Sequence, residues 1–238
     1  MTGTILNVAT ILVGGTLGTL LGAKIPEKLR QTVVIGLGLY TFAYGISLFI
    51  KTENAIVVIL SVLIGVLLGE WWNIENGLNN LAVWLEKNLI KSTDEGNQKR
   101  FVRGFLMASL LFCVGPVAIL GSVQDGLTGD YQLLVVKSIL DGFAALAFSA
   151  SMGIGVTFSA LPILIYQGGI SLLAAQAQSV FTTSMITEMS ATGGILLLAI
   201  SLGGLLELKP IRSANFLPAL ILAPLFIAIL SWLNISLP

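Results

Sequence analysis

The chain contains no histidine and a single cysteine, Cys113. Without imidazole it lacks the commonest general base and the commonest ligand for zinc or haem iron. One cysteine excludes an intramolecular disulfide. A serine nucleophile would have no histidine to activate it, and no spacing supports a lysine in that role. No Walker, Rossmann or zinc-ligand pattern occurs. No enzymatic activity, no catalytic residue and no cofactor are therefore expected. Charge is equally scarce: 10% of the residues are charged, against about 25% in average soluble chains. The net charge of zero argues neither for nor against an anionic partner, and no nucleic-acid partner is expected. The opening MTGTILNVATILVGG has no basic stretch before its apolar run, so it reads as a retained first span rather than a cleaved signal peptide.

Apolar residues fill the chain instead, at 55% of 238 residues and a mean hydropathy of +0.95. Several runs approach the roughly 20 residues that cross a ~30 Å hydrocarbon core. The expected fold is an all-α polytopic membrane protein with about eight transmembrane helices, some broken at Gly or Pro. Hydropathy places the spans at Ile5–Ala23, Thr32–Ile50, Ala55–Trp72, Phe105–Leu120, Leu133–Val156, Ala160–Ala175, Thr192–Leu206 and Phe216–Trp232. One transmembrane domain covers residues 1–238, with an amphipathic helix and a polar linker at 73–100. Of the 12 Lys and Arg, only Lys51 and Lys137 lie outside the loops that follow spans one, three and seven. By the positive-inside rule those loops are cytoplasmic, which puts both termini on the non-cytoplasmic side of a cell inner membrane.

The longest loop holds WNIENGLNNLAVWLEKNLI, Trp72 to Ile90. Ile74, Leu78, Leu81 and Leu85 recur at helical spacing opposite Glu75, Asn76, Asn79 and Glu86. This pattern suits a helix lying on the membrane surface or on the protein's own cytoplasmic face. Lys91 to Arg100 reads as a flexible polar linker. A short pattern recurs at Leu17–Leu21, Ile64–Leu68 and Leu202–Leu206, and Pro116 and Pro218 fall inside spans four and eight, so two four-span halves are conceivable. Gly14, Gly18 and Gly22 form a stripe of small residues that lets helix backbones approach, and dimerisation through such stripes is one reading of them.

Four regions put polar groups at membrane depth or at its edge. In Phe112 to Asp130, the Gly115–Pro116 pair removes a backbone donor and breaks the helix, and Gln124 and Asp125 follow in a glycine-rich turn. Lys137, Ser138 and Asp141 lie in the fifth span, with Lys137 and Asp141 on one helix face. A charge near the bilayer centre costs about 3 kcal/mol even on mild scales, so this pair faces something other than lipid: an ion path, or a structural ion pair. In the sixth span Pro162, a candidate helix break, precedes Gln167, which can both donate and accept. Glu188 stands before a Gly-rich segment, as the end of a re-entrant turn or as a helix N-terminal cap. Asn7 adds a polar group to the first span. Acids, amides and hydroxyls suit hard cations and proton relays.

FCVGPVAILGSVQDGLTGD, KSILDGFAALAFSASMGIGVTFSALPILIYQGG, EMSATGGILLLAISLGGL and ANFLPALILAP, together with the opening GTILNVATILVGGTLGTLLG, resemble the bacterial inner-membrane proteins grouped as domain of unknown function 554. The resemblance covers nearly the whole chain. It implies a membrane protein of candidate transport function with no assigned substrate, and its motifs fall on Gly115, Pro116, Gln124, Asp125, Gly126, Lys137, Asp141, Gln167 and Glu188. The leading expectation is a small secondary transporter or channel for a cation or small polar solute, its path lined by Asp141, Lys137, Gln124, Asp125, Glu188, Gln167, Ser138 and Asn7. The alternative is a non-transporting scaffold or regulator that docks partners through its cytoplasmic loop. The lipid bilayer is the one partner common to both.

Overall fold

The computed structural model describes residues 1–22, 24–90, 95–174 and 181–233. Among these there is no strand. The helices are α1 (Thr2–Gly22), α2 (Glu27–Phe49), α3 (Ala55–Trp72), α4 (Ile74–Leu85), α5 (Glu95–Cys113), α6 (Pro116–Leu127), α7 (Gln132–Met152), α8 (Ala160–Leu172), α9 (Thr183–Ala199) and α10 (Leu217–Trp232). Two short 3-10 helices, Ile154–Ser159 and Ser213–Phe216, lead into α8 and α10, and π turns follow α4 at Glu86–Ile90 and α9 at Ile200–Leu205. Seven helical segments are long and apolar enough to cross a bilayer. An eighth is the bent pair Gly96–Cys113 and Val117–Thr128, which meet at 64°. The expected all-helical, polytopic fold is the observed one.

Several boundaries differ from those expected. The expected ends at Ala23 and Ala175, and Lys91 to Asp94 of the linker, lie outside the described residues. Glu95 to Arg100 of that linker are helical, because tertiary bonds hold them: Gln98 Nε2 donates to Glu86 Oε2 at 3.0 Å and Arg100 Nη2 to the Ser151 carbonyl at 2.7 Å. Glu86 is fully buried rather than on a polar face. The wider π turn that begins at this residue shifts it off the 3.6-residue register. The fifth span ends at Met152, where Gly153 takes φ +83°, and Gly155 belongs to the next span. The seventh begins nine residues early, capped by the Thr182 side chain, which accepts from Met185 N at 3.3 Å. Pro218 lies in the first turn of α10, where its missing N–H is harmless, and the interior proline is Pro224. Pro162 likewise sits in the first turn of α8 and breaks nothing.

The chain packs as two compact units that interleave in sequence: Met1–Leu37, Leu78–Cys113 and Val117–Ala177 form unit one, and Gly38–Gly77, Val114–Pro116 and Gln178–Pro238 form unit two. They are not the two contiguous four-span halves suggested by the short repeat. In unit one, α1 runs parallel to α7. A Cβ on Gly14, Gly18 or Gly22 would lie 2.1, 2.1 and 2.3 Å from the carbonyl oxygens of Gly142, Leu146 and Ala150. The stripe is thus occupied within the chain by α7, and only glycine permits so close an approach. The α5–α6 pair crosses this unit from end to end. Phe101 of α5 packs its carbonyl against Gly155, beyond the C-terminus of α7, while Asp125 of α6 reaches Gly3 at the N-terminus of α1. In unit two, α3 runs antiparallel to α10, with Gly65 against Ala219 and Gly69 against Asn215, and α2 crosses α9 where Gly45 and Gly194 each face the other's carbonyl.

Candidate functional site

Asn7 is the centre of a buried polar cluster in unit one. Its Nδ2 donates to Asp141 Oδ2 at 3.0 Å and to Gln167 Oε1 at 3.0 Å, tying α1 to α7 and α8. Lys137 Nζ, one turn before Asp141 on the same face of α7, bonds the same carboxylate oxygen. Asn7 and Gln167 are fully buried, and Lys137 and Asp141 are buried as well. The glycine face of α1 makes this assembly possible, because it brings the α1 and α7 backbones into contact. The ion pair leaves the cluster with no net charge.

The cluster does not satisfy itself. Asn7 Oδ1, an acceptor, and Gln167 Nε2, a donor, have no protein partner. An unmade bond at a buried polar atom costs about 1–3 kcal/mol, so a group kept in this state calls for a reason. Unit one holds further cases: the hydroxyls of Ser109 on α5, Ser149 on α7, and Thr157 and Ser159 on the 3-10 helix, and Asp125 Oδ1. Unit two has Ser61, Thr192 and Asn215 Nδ2. Among the described residues, unpartnered buried polar atoms therefore concentrate in unit one. The four hydroxyls were not singled out in the sequence. Ser and Thr are common in membrane helices, and only the burial of these particular ones separates them from the rest.

The remaining candidates go to other places. Asp125 is buried at the N-terminus of α1, where its Oδ2 accepts from Gly3 N and meets the Met1 amine, each at 3.0 Å. Ser138 donates to the Leu134 carbonyl at 2.6 Å within its own helix and is not bonded to the cluster. Gln124 is exposed, one residue before Asp125. Gly115 takes φ +134° and Pro116 opens α6, so the expected break is present. Glu188 lies in unit two, inside α9 rather than at the end of a re-entrant turn. It is fully buried and caps a different helix from its own: Oε2 accepts from Thr52 Oγ1 at 2.6 Å, and Oε1 from Glu53 N at 2.7 Å and Asn54 N at 3.0 Å, at the start of α3. Asp125 and Glu188 thus do the same work in the two units, placing a carboxylate at the positive end of a helix. Among the described residues no three acidic or cysteine side chains gather as a metal-ligand set.

Apolar spans joined through a buried, neutral polar cluster define a polytopic helical membrane protein. The chain belongs to the family described as protein of unknown function (DUF554), whose model matches residues 2–228. It is 37% identical over 232 residues to the uncharacterized protein YqgA of Escherichia coli (strain K12), covering 97% of this chain and 98% of that one. It is 30% identical over 234 residues to the uncharacterized membrane protein YdfK of Bacillus subtilis (strain 168), covering 97% of each. No solved structure matches the chain.

Proposed function

We propose that unit one carries a small polar solute across the bacterial inner membrane. The observation behind this reading is the concentration of unpartnered, buried polar atoms on α1, α5, α7, α8 and the 3-10 helix of that unit. A bundle that only needed stability would bond these groups to each other or replace them with apolar side chains. The cluster favours one part of the expected substrate range. A bare cation at Asp141 faces the Lys137 ammonium, which already pairs with that carboxylate at Oδ2 beside the Asn7 amide. A solute that both donates, to Asn7 Oδ1, and accepts, from Gln167 Nε2, uses the atoms the protein leaves unbonded. Neutral or zwitterionic solutes with hydroxyl, amide or amine groups fit this description. The reading involves no catalytic step.

Orientation belongs to the same proposal. The basic residues after α1, around the start of α5 and after α9 mark the cytoplasmic side, so both termini are non-cytoplasmic. A docking role for the segment from Trp72 to Lys91 has a narrower basis. Trp72 and Trp84 are exposed there, as is Trp71 just before it, and tryptophan suits the membrane interface, so lipid is the partner this reading gives them.

The test is uptake into proteoliposomes of a panel of small hydroxyl, amide and amino compounds, under imposed proton or sodium gradients. Gln167→Leu keeps the volume and removes the unpartnered donor together with the acceptor for Asn7 Nδ2, so Tm is read alongside flux. The protein should fold with a modest loss of stability and the flux should fall by about tenfold or more. Flux that is unchanged in Gln167→Leu, or no flux above empty liposomes for any compound, overturns the proposal.

A further inference from the structure

At the other end of unit one lies a cavity of about 260 Å³. Its lining includes Thr19 of α1, Arg30 of α2, Asn97 and Arg100 of α5, and Ser149 of α7, and among the described residues no carboxylate. Thr19 is twelve residues from Asn7, roughly 18 Å along the helix, so the cavity and the Asn7 cluster are separate places. Backbone bonds hold both guanidiniums. Arg100 donates through Nη2 to the Ser151 carbonyl at 2.7 Å, and Arg30 through Nε to the Ile25 carbonyl at 3.0 Å. Arg30 Nη1 also reaches Glu27 Oε2, at 3.4 Å. Each guanidinium carries five N–H donors, so these bonds orient the groups and leave donors on both.

Two guanidiniums that share the wall of one cavity repel each other, and the cost rises as water is withdrawn. A bound anion reverses the sign of that energy. Ser149 adds a second, independent observation: it is 1% exposed, it lines the cavity, and its Oγ has no partner. A hydroxyl donor beside two arginine forks matches a tetrahedral oxyanion, since arginine pairs with phosphate through parallel N–H···O bonds.

We propose that this cavity is a phosphate-group site. The group comes either from free inorganic phosphate or from the headgroup of an anionic phospholipid. The site is independent of the transport reading, and its test needs no flux. The purified full chain in neutral detergent is titrated with inorganic phosphate, with phosphatidylglycerol, and with chloride at matched ionic strength, and the apparent Tm is followed. Saturable stabilisation by phosphate assigns a free-anion site, and saturable stabilisation by phosphatidylglycerol alone assigns a lipid site. Arg30→Lys keeps the charge but loses the fork, and Ser149→Ala removes only the unpartnered hydroxyl. Both variants should fold, and each should weaken the response about tenfold. Arg30→Gln combined with Arg100→Gln should abolish it. The proposal is overturned if neither ligand shifts the wild-type Tm beyond chloride, or if Arg30→Lys and Ser149→Ala respond as the wild type does.

Discussion

Glu188 shows how much a buried acid depends on what it faces. Its carboxylate collects one hydroxyl and two backbone N–H donors at the start of α3, from residues more than 130 positions earlier in the chain. Bonds to a charged acceptor are each worth about 1.5–3 kcal/mol, and the helix dipole adds to them. Thr52 and Asn54 are only half-buried and Glu53 is exposed, so water recovers part of the loss when the acid is removed. Glu188→Ala should therefore lower stability by about 2–4 kcal/mol. Glu188→Gln keeps an acceptor for the two N–H groups and should cost about 1 kcal/mol. Thermal unfolding of both variants in detergent checks the order. If Gln is as damaging as Ala, the negative charge at the helix end, and not the acceptor geometry, carries the cap; if neither lowers stability, capping is not the role. The sequence left Glu188 open between capping and coordination because nothing local shows which distant loop it meets. Lys137 and Asp141 were easier to read, since a four-residue spacing fixes their common face before any tertiary contact forms. Asn7 and Gln167 were legible as polar, but the bonds from Asn7 to Asp141 and to Gln167 depend on three helices converging.

At the scale of the element, glycine decides which helices meet. The α1 stripe packs against the α7 carbonyls in constant parallel register, so a side chain on any of the three glycines has to push two backbones apart. The stripe was visible in the sequence, but its partner was not, since Gly-rich faces fit many helices equally. Gly18→Val should separate α1 from α7, pull Asn7 away from Asp141, and cost several kcal/mol, about the size of other overpacking and backbone effects. Gly36 on α2 is the control, because a Cβ there meets nothing within 4 Å. Gly36→Ala should be neutral or stabilising by up to about 1 kcal/mol. Equal Tm values for Gly18→Val and the wild type would show that α1 and α7 are not in backbone contact. Hydropathy worked well on α3, whose ends were matched to the residue, because Asn54 and Asn73 bound an unbroken apolar run. It failed at the start of α9, where Thr183, Ser184, Thr187, Glu188 and Ser190 lower the average although Glu188 is bonded and buried. A sliding average cannot see that a polar group is satisfied.

At the scale of the whole molecule, the number of bilayer crossings turns on α5–α6. If the bent pair were a re-entrant loop, seven crossings would put Lys209 on the same side as Lys51. As a full crossing, it puts them on opposite sides. The packing of unit one favours the full crossing: α5 starts at the C-terminal end of α7 and α6 finishes at the N-terminal end of α1, so the pair covers the whole length of the unit. The parallel register of α1 and α7 agrees, because it requires both helices to enter from one face. Charge distribution, read from sequence alone, points the same way. Lys51 and Lys209 are both exposed, so both sites can report. In a Cys113→Ser background, a membrane-impermeant maleimide applied to intact cells should label Lys51→Cys and leave Lys209→Cys unlabelled until the membrane is permeabilised. Labelling of both in intact cells would make α5–α6 re-entrant, and labelling of Lys209→Cys alone would invert the protein and put the Arg30–Arg100 cavity on the outer face.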